Sequence, residues 1–253
     1  MKNKDARLRV LIFCPLGGNT VERKDCLWQD GPCFYFDTDL FAPTTDSFAL
    51  GYFAAPRRGE RVCDLGSGTG LLGTFLLARE PSLTLFCVEQ NAAANALARK
   101  GFAENGRAER VTLRVGDLRD PSALPAAGSM DYAVSNPPYF PVGSGASAAD
   151  GARQTAREEV GCTLADVCAA AARILRWGGR FALVHRPERL TDLLCTLRAH
   201  GLEPKRLRFV VSAPEGTPSL LLAEARRGGR SGLTVEPPLI IGSPEWDRVY
   251  FRA

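Results

Sequence analysis

The sequence predicts an open α/β fold built on a parallel sheet, and three observations carry that prediction. Residues 61–77 pass from a short apolar run (Val62, Cys63, Leu65) through Gly66, Gly68 and Gly70 into a stretch where Leu71, Leu72, Phe75, Leu76 and Leu77 recur at helical steps. The same alternation of apolar run and helical pattern then repeats along the chain, as βαβ units require. The runs also end on polar residues, Asp64, Glu89, Asp117 and Asn136, and the carboxyl ends of parallel strands are where such sheets bind ligands.

The chain has 253 residues, of which 45% are hydrophobic and 24% charged, enough for one α/β domain with a proper core and against a disordered chain. Its net charge of +4 is compatible with an anionic partner without requiring one. Eight cysteines are scattered with no Cys-x-x-Cys, and several lie in apolar runs, so reduced thiols are expected, with neither a disulfide framework nor a zinc site. No apolar run approaches the roughly 20 residues of a membrane-spanning helix. Residues 10–16 are too short, and too interrupted by Pro15, to serve as a signal peptide. These features predict a cytoplasmic protein without membrane or metal; a monomer or weak dimer is expected, although none of these features sets the oligomeric state.

In chain order, residues 1–20 give no structural signal. Residues 27–39, with Trp28, Gly31-Pro32, Phe34, Tyr35 and Phe36, read as a hairpin or edge strands ahead of the sheet. A helix is expected from Thr45 or Asp46, with Asp46 as its N-cap and Phe48, Leu50 and Phe53 inward. The run at 61–65 is the first sheet strand. Its glycines let the backbone turn tightly and approach a ligand, since no Cβ intervenes. Their spacing is Gly-x-Gly-x-Gly, not the Gly-x-Gly-x-x-Gly of dinucleotide sites.

Residues 83–88 form the second strand, ending at Glu89, about 20 residues beyond the glycines, where a carboxylate can accept from two ribose hydroxyls. An alanine-rich helix from Asn91 leads to a third strand at 111–115, ending in Gly116-Asp117. An acid there can accept from an adenine amino group or simply cap a turn. The fourth strand, 131–135, runs into Asn136-Pro137-Pro138-Tyr139-Phe140. Two prolines fix the backbone and leave carbonyl acceptors without N–H donors, beside an amide and two aromatic faces. That set suits a planar nitrogen group, whose two N–H protons are accepted while a ring stacks.

Residues 142–157 are rich in Gly, Ser and Ala and read as a mobile loop over the site. A helix over 164–175, closed by Gly178-Gly179, precedes a fifth strand at 180–184. A helix to Arg198 and strands at 207–211 and 220–225 complete seven, with an extended segment near 237–241 packed on the domain. The organisation expected is an N-terminal extension (1–26), one domain (27–241) and a tail (242–253).

With Asp64 to Gly70, Glu89, Asp117 and Asn136 to Tyr139 in order at successive strand ends, the sequence resembles class I S-adenosylmethionine-dependent methyltransferases. The resemblance implies a Rossmann-like seven-stranded sheet with helices on both faces and its last strand antiparallel. Asn-Pro-Pro-Tyr marks members of that class that methylate a planar amino group. Further stretches, Thr45-Asp46, Ala156-Arg157-Glu158-Glu159, residues 185–190, Pro204-Lys205-Arg206 and Pro237-Pro238-Leu239-Ile240, resemble bacterial tRNA adenine-N6 methyltransferases that modify valine tRNA next to its anticodon.

The resemblance implies that Gly66, Gly68, Gly70 and Asp64 receive the methionine part of S-adenosylmethionine, Glu89 the ribose, and Asp117 with Leu118 the adenine. Thr45 and Asp46 close the pocket. Asn136 lies against the cofactor and, with Pro137, accepts from the target amine. Pro138 and Tyr139 complete the motif, Tyr139 stacking on a flipped base, with Phe140 beside it. Arg153, Arg157, Arg186, Arg189, Lys205, Arg206 and Arg208 together form an expected phosphate-binding face for tRNA. Of the two histidines, His185 is expected to be structural or RNA-facing and not a base.

Two other readings remain open at this point. One keeps the chemistry but places it on a release-factor glutamine, although such enzymes carry a helical N-terminal domain and the first fifty residues here look strand-like. The other is a non-catalytic cofactor- or RNA-binding module. A DNA adenine methyltransferase is a weaker fit, since no target-recognition domain is visible.

Overall fold

The computed structural model describes residues 22–37, 43–137 and 162–250. Strands β1 (Glu22–Cys26) and β2 (Cys33–Asp37) form an antiparallel hairpin of their own. The main sheet contains β3 (Arg61–Leu65), β4 (Thr84–Glu89), β5 (Val111–Val115), β6 (Met130–Ser135), β7 (Leu175–His185), β8 (Leu202–Val211) and β9 (Pro218–Arg227). Their spatial order is β8-β9-β7-β6-β3-β4-β5. All pairs from β7 to β5 are parallel, while β9 runs antiparallel to both β7 and β8. The seven expected strands are thus present, with the seventh antiparallel. Two short strands, β10 (Thr234–Val235) and β11 (Leu239–Ile240), extend the sheet along β8.

From β3 the chain builds outward through β4 and β5, then crosses back to β6 and β7 on the other side. That reversal leaves a crevice at the carboxyl ends of β3 and β6, because the connecting segments depart to opposite sides.

Strand side chains alternate between two cores: Val62, Tyr132 and Val134 face one, Cys63, Leu65 and Ala133 the other. Helices α1 (Thr45–Phe53), α2 (Leu71–Arg79), α3 (Ala92–Glu104) and the short C-terminal α6 (Pro244–Val249) cover the first face. Helices α4 (Leu164–Ile174) and α5 (Leu190–Ala199) cover the second. Asn91 starts α3 by accepting from the N–H groups of Ala93 and Ala94 at 2.9 and 3.0 Å. Thr163 and Asp166 start α4 as a reciprocal capping box. Helix α1 lies close on α2: a Cβ at Gly51 would sit 2.6 Å from the Phe75 ring. Arg79 of α2 donates to the carbonyls of Gly51, Tyr52 and Ala54 at 2.7, 2.8 and 3.2 Å, closing the end of α1.

Several expectations need correction. Helix α1 begins at Thr45 after Thr44, whose side chain makes no capping bond; Asp46 sits in the first turn, where its charge favours the helix dipole without capping it. Gly178-Gly179 do not close α4, which stops at Ile174. Leu175 already pairs with Met130, and the register slips before Tyr132 meets Arg180; Gly178, at φ +77°, lies within that irregular stretch.

The cysteine reading also fails at one place: Cys26 and Cys33 form a disulfide, because they are the register partners that close the hairpin loop. Cys63, Cys87, Cys162, Cys168 and Cys195 are free, the first two and Cys168 fully buried. Strand β1 spans residue 26, so the boundary expected there falls inside the hairpin. Trp246 and Val249 of the expected tail belong to the same core as α1 and the sheet.

Candidate functional site

The crevice is built by knitting three strand ends together. The glycine turn after β3 is fastened to β4, since the N–H groups of Gly66 and Ser67 both donate to the Val88 carbonyl, at 2.9 and 3.0 Å. The end of β6 is fastened to β3 by the buried Ser135 hydroxyl, which donates to the Leu65 carbonyl at 2.7 Å. Gly66, Gly68 and Gly70 take φ values of +76°, +51° and +79°, a region L side chains resist. A Cβ on Gly66 would meet nothing within 4 Å, so its backbone borders open space. At Gly70 a Cβ would press on Phe102 at 2.9 Å and Ala98 at 3.0 Å, so this glycine also lets α2 dock on α3.

Two buried carboxylates face this turn. Glu89 is 7% exposed and both its oxygens accept from backbone, Oε2 from Gly68 and Oε1 from Asn91, at 2.9 and 2.8 Å. Burial nevertheless raises its pKa, against the pull of those N–H groups. Asp64 is 1% exposed and its Oδ2 has no hydrogen-bond partner among the described residues. Burial first, and the Glu89 charge second, push its pKa from 3.8 up to about 7, while the Gly73 N–H draws it down. A carboxylate pair this dry, with an oxygen left over, fits a ligand carrying a cation and hydroxyl donors.

Asn136 sits just past β6, half-buried, and its Nδ2 donates to the Ser47 hydroxyl of α1 at 3.0 Å. This contact turns the amide nitrogen toward α1 and leaves Oδ1 as the acceptor end. Pro137 is buried. Thr45 and Asp46 share the first turn of α1 with Ser47, so that helix start and the Asn136 corner are in contact. Ser47 was not singled out from sequence; its proximity to Asn136 spans 89 positions of chain, and only its place beside Thr45-Asp46 hinted at it.

The remaining expected residues behave differently. Asp117, past the end of β5, accepts from the Arg119 N–H at 2.8 Å and is gripped by its guanidinium, which holds its carboxyl below the usual range. Leu118 is half-buried against the second core. Arg186 and Arg189, just after β7, lie in ion pairs with Glu188 at 3.9 Å and Asp192 at 2.6 Å.

Among the described residues, the basic side chains expected on one phosphate-binding face are not brought together. Arg206 is drawn inward between Glu224 and Glu236, over the Phe53 ring, and Arg208 clamps Glu245, while Lys205 lies toward the opposite end of the sheet. His185 is 3% exposed; burial and Arg189 lower its pKa to about 4, and its Nδ1 accepts from the Arg186 N–H at 2.8 Å, so it is neutral and structural. Pro138, Tyr139, Phe140, Arg153, Arg157 and the 142–157 loop lie outside the described residues. Among those described, no group of His, Cys, Asp and Glu has the arrangement of a metal site, and no helix is long and apolar enough to cross a membrane.

Comparison with known proteins bears on this site. A tRNA1(Val) (adenine(37)-N6)-methyltransferase of Aeromonas hydrophila is 36% identical over 198 residues, covering 77% of this chain and 81% of that one. The protein of the same name from Porphyromonas gingivalis is 32% identical over 188 residues, covering 72% and 73%. Among solved structures, a predicted O-methyltransferase from Agrobacterium tumefaciens shares the fold with a TM-score of 0.68 at 20% identity, covering 83% of this chain and 97% of that one. A geranyl diphosphate methyltransferase solved with S-adenosylmethionine shares it with a TM-score of 0.53 at 17% identity, covering 72% and 84%. The methyltransferase small domain matches residues 50–192. That stretch is more than half of the chain and contains the glycine turn, both buried carboxylates and Asn136, and the chain belongs to the methyltransferase small domain family.

Proposed function

We propose that this chain transfers a methyl group from S-adenosylmethionine to the exocyclic N6 amine of an adenine in tRNA, next to the anticodon of valine tRNA, in the cytoplasm. The observation that carries the reading is the Asn136 amide, held by Ser47 on the lip of the crevice that Asp64, Glu89 and the glycine turn define. The names of the relatives support the tRNA assignment.

The cofactor supplies an electrophilic methyl on a sulfonium. The chain supplies the cradle: Gly66 admits the methionine part past its bare backbone, Asp64 meets its ammonium, and Glu89 keeps acceptor capacity on both oxygens for the ribose hydroxyls. Thr45 and Asp46 border the pocket from α1, with Asp117 and Leu118 on the adenine side once Asp117 shares its Arg119 contact. At the target, Asn136 Oδ1 and the Pro137 carbonyl accept the two N–H protons of the amine. That draws its lone pair out of conjugation with the ring and aims it at the methyl, while Tyr139 stacks on the base. Orientation of this kind supplies about 7–11 kcal/mol in well-aligned systems, so no dedicated base is required: as the N–CH3 bond forms the S–CH3 bond would break to leave a neutral thioether, and the proton displaced from N6 would pass to solvent.

Asn136→Ala tests the reading. It should bind S-adenosylmethionine normally and lose on the order of 100-fold in methyl transfer, by analogy with removal of one oxyanion-hole donor. Assays with unmodified tRNA and with release factor in parallel, followed by nucleoside mass spectrometry, identify the acceptor. N6-methyladenosine is the expected product; label in release factor alone would move the reaction to glutamine, and label in neither would leave a binding module.

A further inference from the structure

At the end of the sheet opposite the crevice, the start of β7 and the β8 and β9 segments beside it border an open cavity of about 320 Å³. Trp177 forms one wall and is 75% exposed, unusual for the largest apolar side chain. Its indole lies directly on the Gly228 backbone: a Cβ there would come within 2.2 Å of the ring. One face is therefore occupied by glycine backbone, while the side chain as a whole remains open to solvent.

Lys205, Arg226 and Arg230 line the same cavity. Arg226 donates to the Gly178 carbonyl at 3.2 Å and Lys205 to the Arg230 carbonyl at 3.0 Å. These are neutral acceptors that orient the cations without neutralising them. Among the described residues, none of the three has a carboxylate within ion-pair distance. The nearest acid in the register, Glu203 opposite Arg226, is engaged by Arg198 at 3.1 Å.

A lone exposed tryptophan means little. A flat indole supported from behind and flanked by three cations without acidic partners is the combination that single-stranded nucleic acid requires: a platform for one base and charge for its phosphates. An acidic peptide would use the cations but has no need of the platform.

We propose that this cavity is a second RNA-contact site, taking one unstacked base on Trp177 and adjacent phosphates on Lys205, Arg226 and Arg230. Trp177 precedes the regular part of β7 and His185 ends it at the crevice, with the five steps from Arg180 to His185 spanning about 17 Å, so one folded RNA can touch both ends. That last connection rests on the tRNA reading; the site itself does not.

The test is binding of fluorescein-labelled hexacytidylate, which contains no adenine to methylate, to the full chain and to Trp177→Ala and Lys205→Gln/Arg226→Gln. Trp177 is exposed, so its removal should leave thermal unfolding unchanged. We expect at least tenfold weaker binding for Trp177→Ala, and for the double variant a log K against log salt slope smaller by about 1.4, two phosphates at about 0.7 each. In methyl transfer to tRNA, Trp177→Ala should raise KM and keep kcat.

Equal hexacytidylate affinity in wild type and Trp177→Ala would overturn the proposal. So would competition by polyphosphate or polyglutamate as strong as by RNA, which would leave a plain anion patch. Cytidine monophosphate binding as tightly as the hexamer would overturn the RNA assignment in favour of a free nucleotide. Trp177-dependent hexamer binding stands whatever acceptor the methylation assay identifies, so failure of the tRNA reading and failure of this one are distinguishable.

Discussion

Asp64→Asn separates what the buried carboxylate does for the cofactor from what it does to the free protein. Asp64 is fully buried with one oxygen unpartnered among the described residues, and its pKa rises from 3.8 to about 7. Between those values the folded chain holds a proton that the unfolded chain has released, so stability falls as pH rises across that range and the loss is complete above about pH 7. At about 1.36 kcal/mol per pH unit, the charged carboxylate costs the free protein on the order of 4 kcal/mol. An asparagine is neutral throughout. The variant should therefore match wild type near pH 4 and exceed it at pH 8 by up to that amount, on the order of 10 °C in unfolding temperature for a chain of this size. Binding of S-adenosylmethionine should respond in the opposite sense. Wild-type affinity should fall about tenfold per pH unit below pH 7, as the carboxyl must ionise to meet the ammonium, while the variant binds weakly at every pH. Thermal unfolding at pH 4.5 and 8, with and without cofactor, reads all four quantities. A variant no more stable than wild type at pH 8, or one that keeps its cofactor affinity, would refute the argument.

Ser47→Ala removes the hydroxyl that orients the Asn136 amide; one net hydrogen bond of about 0.5–1.5 kcal/mol corresponds to a 2- to 10-fold fall in kcat, with cofactor affinity unchanged and recovery in Ser47→Thr. Gly70→Ala combines a positive φ with a Cβ 2.9 Å from Phe102 and should cost about 2–4 kcal/mol in urea unfolding. Gly59→Ala, at φ +75° with nothing within 4 Å, should cost only the backbone part, about 1 kcal/mol; equal costs would contradict the packing role of Gly70. His185 stays neutral to about pH 4 when folded, so its contribution is lost as pH falls from 6.5 toward 4. His185→Gln should spare the protein about 2–3 kcal/mol of destabilisation between pH 7 and 4.5, read as a difference between two denaturant curves at each pH.

What the sequence made legible follows from how a parallel sheet is encoded. Strand, turn and helix around Asp64 to Gly70 are determined within about fifteen residues, and the polar residue that ends each strand is displayed at the same edge whatever lies between. Glu89 and Asn136 could therefore be placed before any contact was known. Lateral partnerships depend on which strand lies beside which, and that order is not local. Glu224 shows the difference: it is buried on β9, accepts from the Tyr132 hydroxyl at 2.5 Å and meets Arg206 at 3.3 Å. From sequence Arg206 belonged to a phosphate face; once β9 lies between β7 and β8, the same arginine is the counter-charge of a buried acid. Local punctuation misled for a related reason. Gly178-Gly179 look like a helix stop, yet the pairing of Leu175 with Met130 had already ended the helix and left the glycines inside an irregular strand.

Helix α1 shows how distant contacts converge on the chemistry. Its first turn carries Ser47, which holds Asn136; its Phe48 ring stacks on Tyr250 at 4.8 Å and meets Phe75 edge-on; its Tyr52 hydroxyl donates to Glu245 at 3.2 Å; and its last carbonyls end on Arg79. Tyr250 and Glu245 come from the segment that the sequence set apart as a tail. Their contacts, with Trp246 and Val249 in the same core, fix the lateral position of α1 on the sheet. Because the Ser47 to Asn136 bond is made from the first turn of α1, a displacement of α1 changes it directly. The chain's last helix therefore supports the acceptor amide without touching it, and α1 transmits that support because it is packed on one side by α2 and on the other by residues 245–250.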